Sequence, residues 1–315
     1  MFTSHHSKSA AVATAPAHPV LQQALTQLGQ QLLGKPQQIR LALACLLARG
    51  HLLLEDVPGV GKTTLAHALA QTLGLGYQRV QFTSDLLPAD LIGISIYVRE
   101  TGQFEFHRGP LFSQLVLADE INRASPKAQS ALLEAMAERQ VTHDGTTYAL
   151  PDPFFVIATQ NPLTQIGTHP LPESQLDRFT LRLSLGYPDA RFEKALYQGQ
   201  RMAEVQQALR IEQVRALQAD ASAVHAADPL IDYVMALIHA TRDPQRFQYG
   251  LSPRAGLALL AVARSWALLA GRDMVLPEDV QAVFPHVAAH RLQAASGAGA
   301  SLQQVSQLLL DIPLP

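Results

Sequence analysis

The chain has 315 residues, 48% of them hydrophobic and 16% charged, a globular composition long enough for two domains, each able to bury its own core. No apolar run approaches the roughly 18 residues needed to cross a bilayer, so a membrane-spanning chain is not expected. The formal net charge of -2 gives no standing attraction to a polyanion, which weighs against nucleic acid or a membrane surface as partner.

Residues 1–18 are small, polar and proline-interrupted, which predicts a disordered tail without a secretory signal and makes the cytoplasm the expected compartment. His5, His6 and His18 have no spacing that fixes a metal geometry. From Val20 to Leu47 apolar positions recur at helical spacing with a break at Gly34-Lys35-Pro36, predicting two short helices. Cys45, the single cysteine, lies in the second and reads as a buried structural thiol. The period then changes. Short β-prone runs at His51 to Leu54, Tyr77 to Phe82, Leu115 to Ala118, Phe154 to Thr159 and Thr180 to Leu185 alternate with helical segments such as Thr63 to Leu73 and Pro126 to Arg139. That alternation predicts an α/β fold, a parallel sheet flanked by helices.

Two stretches interrupt it. Ser95 to His107, around Thr101-Gly102, and Gln140 to Ala149, around Asp144-Gly145, alternate like strands about a turn and predict inserted β-hairpins. After Gly186-Tyr187-Pro188 only helical periods follow, around Arg191 to Ala219, Leu230 to Thr241, Pro253 to Ala270, Pro277 to Leu292 and Leu302 to Leu310. The predicted organisation is therefore a tail (1–18), an α/β domain (19–187) and a smaller all-α lid domain (188–315).

Chemistry concentrates where strands end. Asp56 to Thr63, between a predicted strand and helix, nearly spells the phosphate loop G-x-x-x-x-G-K-[ST], with aspartate in the first glycine's place. Gly59 and Gly61 allow successive N–H groups to face an anion, and the helix start adds its positive dipole end. Pro58, Gly59, Val60, Gly61, Lys62, Thr63 and Thr64 are thus the expected ATP-binding residues. Lys62 neutralises β and γ oxygens and the Thr63 hydroxyl serves Mg²⁺. Aspartate tolerates the left-handed conformation at a cost of about 1 kcal/mol, provided that its carboxylate turns away from the triphosphate.

Leu115-Val116-Leu117-Ala118 ends in Asp119-Glu120, and strand alternation points the two carboxylates to different sides. Asp119 suits the Mg²⁺ shell; Glu120 suits orientation and deprotonation of the attacking water. Asn161 ends the next apolar strand, either between the γ-phosphate and that water or simply as a turn former before Pro162. Arg254 follows Ser252 and Pro253, a good N-cap and first helical residue, so it falls in a first turn where the dipole disfavours a cation. A phosphate or a local carboxylate each accounts for it. Arg178 either pairs with Asp177 or Glu173 or reaches a neighbouring subunit.

In this order the stretches "GHLLLEDVPGVGKTTLA", "QFTSDLLPADLIG", "LVLADEINRASPKAQSALLEAMAERQVT", "FFVIATQNP", "GTHPLPESQLDRF" and "LSPRA" resemble the MoxR family of AAA+ ATPases, over about Leu33 to Leu292. The resemblance implies a homo-oligomeric ring, a hexamer, hydrolysing ATP with Mg²⁺. Carried over by position, Lys62 and Thr63 are Walker A, Asp119 and Glu120 Walker B, Asn161 sensor one, Arg178 the arginine finger and Arg254 sensor two. It further implies chaperone-like work on a client protein complex with a separate partner bearing a von Willebrand factor A domain. The metal-site pattern of such a domain, D-x-S-x-S, fails here at Val224 of Asp220-Ala221-Ser222-Ala223-Val224. The competing readings are the ATPase subunit of a metal chelatase and a nucleic-acid motor. The hairpins offer Arg99, His107 and His143 beside Glu100, Glu105 and Asp144, a poor track for phosphates.

Overall fold

The computed structural model describes residues 18–161, 168–198, 205–296 and 299–314. The predicted tail, apart from His18, lies outside the described residues. Two helices, α1 (Pro19–Gln31) and α2 (Pro36–Leu47), lead into strand β1 (Leu52–Glu55). There follow α3 (Lys62–Thr72), β2 (Tyr77–Gln81), α4 (Pro88–Ile92), β3 (Gly93–Val98), β4 (Gln103–Arg108), β5 (Leu115–Asp119) and α5 (Pro126–Glu138). Next come β6 (Gln140–His143), β7 (Thr146–Ala149), β8 (Phe155–Gln160), α6 (Glu173–Leu176) and β9 (Leu181–Leu183). The remainder is helical: α7 (Ala190–Tyr197), α8 (Ile211–Ala223), α9 (Asp228–Ala240), α10 (Pro253–Leu269), α11 (Pro277–Ala288) and α12 (Leu302–Asp311).

Strands β2, β5, β8, β1 and β9 form one sheet in that order, every neighbouring pair parallel. Parallel strands place all their carboxyl ends on one edge, so the segments after β1, β5 and β8 converge there. The predicted α/β sheet and helical lid are both observed.

The hydrophobic interior divides by sheet face. Leu52, Leu54, Leu115, Leu117 and Ile157 join α2, α3 and the helices from α8 to α12 in one buried cluster; Leu53, Val116, Ala118, Val156 and Ala158 join α5 and the hairpin side in another. This follows from the two-residue side-chain period of a strand buried on both faces. Instead of one core per domain, the lid helices share the first face: α10 and α8 pack on α2, and α11 packs on β9. The helical period predicted from Arg191 to Ala219 is divided. The Ala208 and Leu209 amides both donate to the Thr72 carbonyl at the end of α3, at 2.8 and 3.0 Å, and Leu209 is buried, which draws the chain out before α8 begins.

Both predicted hairpins form, β3 with β4 and β6 with β7, and the second turns at Asp144 and Gly145 with φ of 47° and 75°. They are joined to each other. Phe106 stacks on His143 at 4.8 Å and on Tyr148 at 4.5 Å, while Ser95 Oγ donates to Asp144 Oδ2 at 2.7 Å. Tyr97 and Phe104, 53% and 71% exposed, leave an aromatic tip in solvent.

Asp56 joins the sheet to the segment that leads into the lid. Its φ is outside the left-handed region, so the strained-turn account of this residue is replaced by a different one. Oδ2 accepts from Ser184 Oγ at 3.0 Å, the Leu185 amide at 2.6 Å and the Gly186 amide at 2.7 Å; Oδ1 accepts from the Val57 amide at 3.0 Å. The carboxylate thus ties the start of the phosphate loop to the segment leaving β9 for the lid. Bonds to a buried charged acceptor are among the stronger ones.

At the other end of β1, buried His51 accepts from the Val156 amide with Nδ1 at 3.0 Å and faces the Met136 carbonyl with Nε2 at 3.3 Å. Burial, reinforced by the charges of Arg139 and Arg254, pushes its pKa down to about 4.

Two outcomes follow. Asp56→Gly strands the Leu185 and Gly186 amides and is expected to cost roughly 2–4 kcal/mol in denaturant unfolding, with Asp56→Asn losing less. His51 is neutral when folded and takes up a proton near pH 6.5 when unfolded. Its contribution is complete above that pH and is lost progressively down to pH 4, about 3 kcal/mol over the window. Stability measured from pH 7.5 to 4.5 is expected to fall less steeply in His51→Gln.

Candidate nucleotide site

A cleft of about 370 Å³ opens at the carboxyl edge of the sheet, lined by Pro58, Gly59, Gly61, Lys62, Thr63, Thr64, Arg79, Asp119, Glu120 and Asn161. Three strand ends build it: the loop after β1, the tip of β5 and the residue after β8. Gly59 and Gly61 take φ of 83° and 100°, which a β-carbon would strain, and α3 starts at Lys62 immediately afterwards. The helix therefore aims its free N–H groups into the cleft. Lys62 Nζ rests on the loop's own carbonyls, 2.5 Å from Asp56 O and 3.3 Å from Val57 O. Burial lowers its pKa, against the pull of Asp56, Asp119 and Glu120.

The two carboxylates are separated, but not by strand alternation. Asp119 ends β5, whereas Glu120 lies beyond it in the left-handed region (φ 56°, ψ 50°), at a cost on the order of 1 kcal/mol for a residue with a β-carbon. Thr159 fixes this turn. Its hydroxyl donates to Asp119 Oδ1 at 2.6 Å and accepts from the Glu120 amide at 2.8 Å. Glu120 Oε2 accepts from Gln81 Nε2 at 3.0 Å and pairs with Arg123 at 3.0 Å. Asp119 Oδ2 pairs with Arg79 at 2.6 Å. Thr159, Arg79 and Gln81 were not singled out by the sequence reading. The signal for the last two was an edge strand, Tyr77–Gln81, carrying Arg and Gln two apart beside the acidic strand end.

Among the described residues no cluster of three or more His, Cys, Asp or Glu side chains is placed to hold a metal. Thr63 and Asp119 do line the same cleft. Two hard oxygen donors fit Mg²⁺, which takes few protein ligands and completes its shell with water and phosphate oxygens. The Arg79 pairing marks Asp119 as a carboxylate held beside a cation.

A second cavity of about 210 Å³ adjoins the first through Gly59, Gly61 and Thr64. Val60 lines this one, together with Leu32, Leu33, Lys35, Pro188 and Phe192. It lies where α1, the phosphate loop and the entry to the lid meet, a mostly apolar slot beside a phosphate-binding turn.

Arg178 and Arg254 line neither cavity. Arg178 precedes β9, so it lies at the amino edge of the parallel sheet, opposite the cleft. Asp177 is engaged by Arg291 at 2.7 Å, and Arg178 makes no ion pair or side-chain hydrogen bond among the described residues. Arg254 is exposed in the first turn of α10, where Ser252 caps the Ala255 amide at 3.2 Å. It has no carboxylate partner among the described residues, and its charge acts on His51 and Arg291, both at that amino edge. The local-acid alternatives for both arginines are not what the fold provides.

Residues 51–181 match the family described as ATPases associated with various cellular activities (AAA), and residues 239–309 match the AAA lid domain. The chain is 46% identical over 279 residues to the uncharacterised protein YeaC of Bacillus subtilis, covering 87% of each. It is 41% identical over 283 residues to chaperone MoxR1 of Mycobacterium tuberculosis, covering 86% of this chain and 75% of that one. The crystal structure of a candidate ATPase from Cytophaga hutchinsonii superposes with a TM-score of 0.86 at 38% identity, covering 94% of both chains. Sheet order, phosphate loop, acidic strand end and relatives agree: the chain belongs to the MoxR family of AAA+ ATPases.

Proposed function

We propose that this protein hydrolyses ATP to ADP and phosphate in a homo-oligomeric ring and uses the resulting lid motion to remodel a client protein complex. The observation that carries the reading is the convergence of Lys62, Thr63, Asp119, Glu120 and Asn161 on one cleft. The amide-rich turn and Lys62 bind the triphosphate, and the apolar slot beside Val60 and Phe192 takes the base. Thr63 and Asp119 are the residues to hold Mg²⁺, which supplies charge neutralisation on the phosphate oxygens when bound. Glu120 is the base for the attacking water, held in a fixed direction by its left-handed backbone and by Gln81 and Arg123. Asn161, at the cleft wall, orients that water beside it.

The ring is supported by what the cleft lacks. Among the described residues no arginine from β9 or the lid lines it, while Arg178 and Arg254 stand at the opposite edge without an ion pair. We assign both to the nucleotide of an adjacent subunit, a hexamer being the expected closure. An arginine placed there stabilises charge on the transferring phosphoryl group. For Arg254, expected as sensor two, the phosphate it meets is then the neighbouring subunit's.

A separate partner with a von Willebrand factor A domain remains part of the proposal. Asp220 to Ala223 lie within helix α8, and Ser222 Oγ donates to Ala219 O at 2.7 Å, so this segment is no metal-binding loop. No helix among the described residues is long and apolar enough to cross a membrane, and the cytoplasm is the proposed compartment.

Glu120→Gln is expected to keep ATP affinity and lose turnover by roughly 10²-fold or more, read by phosphate release beside binding of a fluorescent ATP analogue. Captured with ATP, that variant is expected to retain the ring and a von Willebrand partner; recovery of a nucleotide-insensitive monomer overturns the chaperone reading. Arg178→Ala is expected to bind nucleotide normally and lose about 10³-fold in kcat, and full activity in it removes the finger assignment.

A further inference from the structure

The turn that carries Arg178 is held by the lid, through one buried side chain. Arg291 follows α11 in a short 3-10 turn, and its side chain is 5% exposed. Its Nε donates to Asp177 Oδ1 at 2.7 Å. One terminal nitrogen donates to the Asp177 carbonyl at 3.1 Å and the Phe179 carbonyl at 2.7 Å; the other donates to Thr180 O at 3.2 Å and to Val287 O. All five N–H donors of the guanidinium are used. Four of them hold the residues on either side of Arg178, and the fifth holds the lid helix itself.

His290 adds a bond of the same kind. Its Nε2 lies 2.8 Å from the Phe179 carbonyl, and since a carbonyl only accepts, that nitrogen carries the proton. Phe179 is fully buried beneath them. Asp177 faces Arg291, and the Arg178 side chain has no ion pair or hydrogen bond among the described residues. A buried cation is costly to desolvate, and here all of its donors are satisfied by this one arrangement of the turn and the lid helix.

We propose that Arg291 is a positioning residue for the arginine finger: it fastens the Arg178 turn to helix α11, so that the lid of one subunit sets the aim of the finger on the neighbouring subunit's nucleotide. The inference rests on the reading that Arg178 acts across the subunit boundary. It adds a route by which the lid of one subunit governs hydrolysis in the next, carried by the hydrogen bonds that fasten the finger's turn to the lid helix.

Arg291→Lys keeps the buried charge but cannot span five acceptors. It is expected to bind a fluorescent ATP analogue with unchanged affinity and to lose at least ~10-fold in kcat at unchanged KM. Asp177→Asn, a milder change to the same contact, is expected to give the same split if the lysine variant does not assemble. The deciding measurement is complementation by mixed rings. Subunits with Arg291→Lys, whose own cleft is intact, are mixed with Lys62→Ala subunits, whose cleft is dead but whose finger is correctly held. Activity above either parent is expected, because the intact clefts now receive well-aimed fingers. Arg178→Ala mixed with Lys62→Ala is run in parallel. If that pair recovers and the Arg291→Lys pair does not, the positioning role is overturned while the finger reading stands. If neither pair recovers, the trans-acting finger is wrong and the inference falls with it. A full kcat in Arg291→Lys, or a loss of nucleotide affinity matching the loss of turnover, also overturns it.

Discussion

The carboxylate of Asp56 is the contact on which the arrangement depends. It is buried, and its four hydrogen bonds bring together the strand that launches the phosphate loop and the segment that leaves the sheet for the lid. A buried carboxylate is tolerable only when its oxygens are saturated with donors, and two backbone amides and a hydroxyl from Ser184–Gly186 meet that requirement. Because the amides belong to consecutive residues, the lid entry is held at one angle beside the nucleotide turn. A glycine in the same position offers the loop its freedom and gives the lid nothing to hold.

The cleft shows the same economy with charge. Asp119, Glu120 and Lys62 all line the candidate nucleotide cleft, and each is paired within the protein: Asp119 with Arg79, Glu120 with Arg123 and Gln81, Lys62 with loop carbonyls. Ligand binding therefore exchanges one set of charge contacts for another, and the free-energy difference between the states is smaller than the bare attraction of a lysine for phosphate. Thr159 is the fixed point. A single hydroxyl, buried between β5 and β8, joins the two carboxylate residues through side chain and backbone.

Much of this was legible in the sequence. Strand ends were readable because apolar runs stop abruptly at Glu55, Asp119 and Thr159, and the second hairpin because Asp144-Gly145 demands positive φ. What stayed hidden was set by partners far away in the chain. Asp56 bonds to residues about 130 positions on, and Arg291 to a turn more than 110 positions back; no local spacing announces either. The backbone at Glu120 departs from the expected alternation for another reason. Alternation was extrapolated one residue past the strand, where a left-handed turn had taken over. The shared core was missed because helical periods report which face is buried and not what buries it.

The stacked hairpins carry a mechanical consequence. A two-stranded ribbon in water is marginally stable and bends easily. Here Phe106, inserted between His143 and Tyr148, and the Ser95–Asp144 bond rivet two such ribbons into one thicker beam. Bending stiffness rises steeply with thickness, so the joined pair resists flexing below the exposed Tyr97 and Phe104 tip more than either ribbon alone. The beam is rooted in α4 on one side and in α5 on the other, and α5 begins just past Glu120. Helix α5 is therefore the strut between the paired hairpins at one end and the acidic strand end of the cleft at the other.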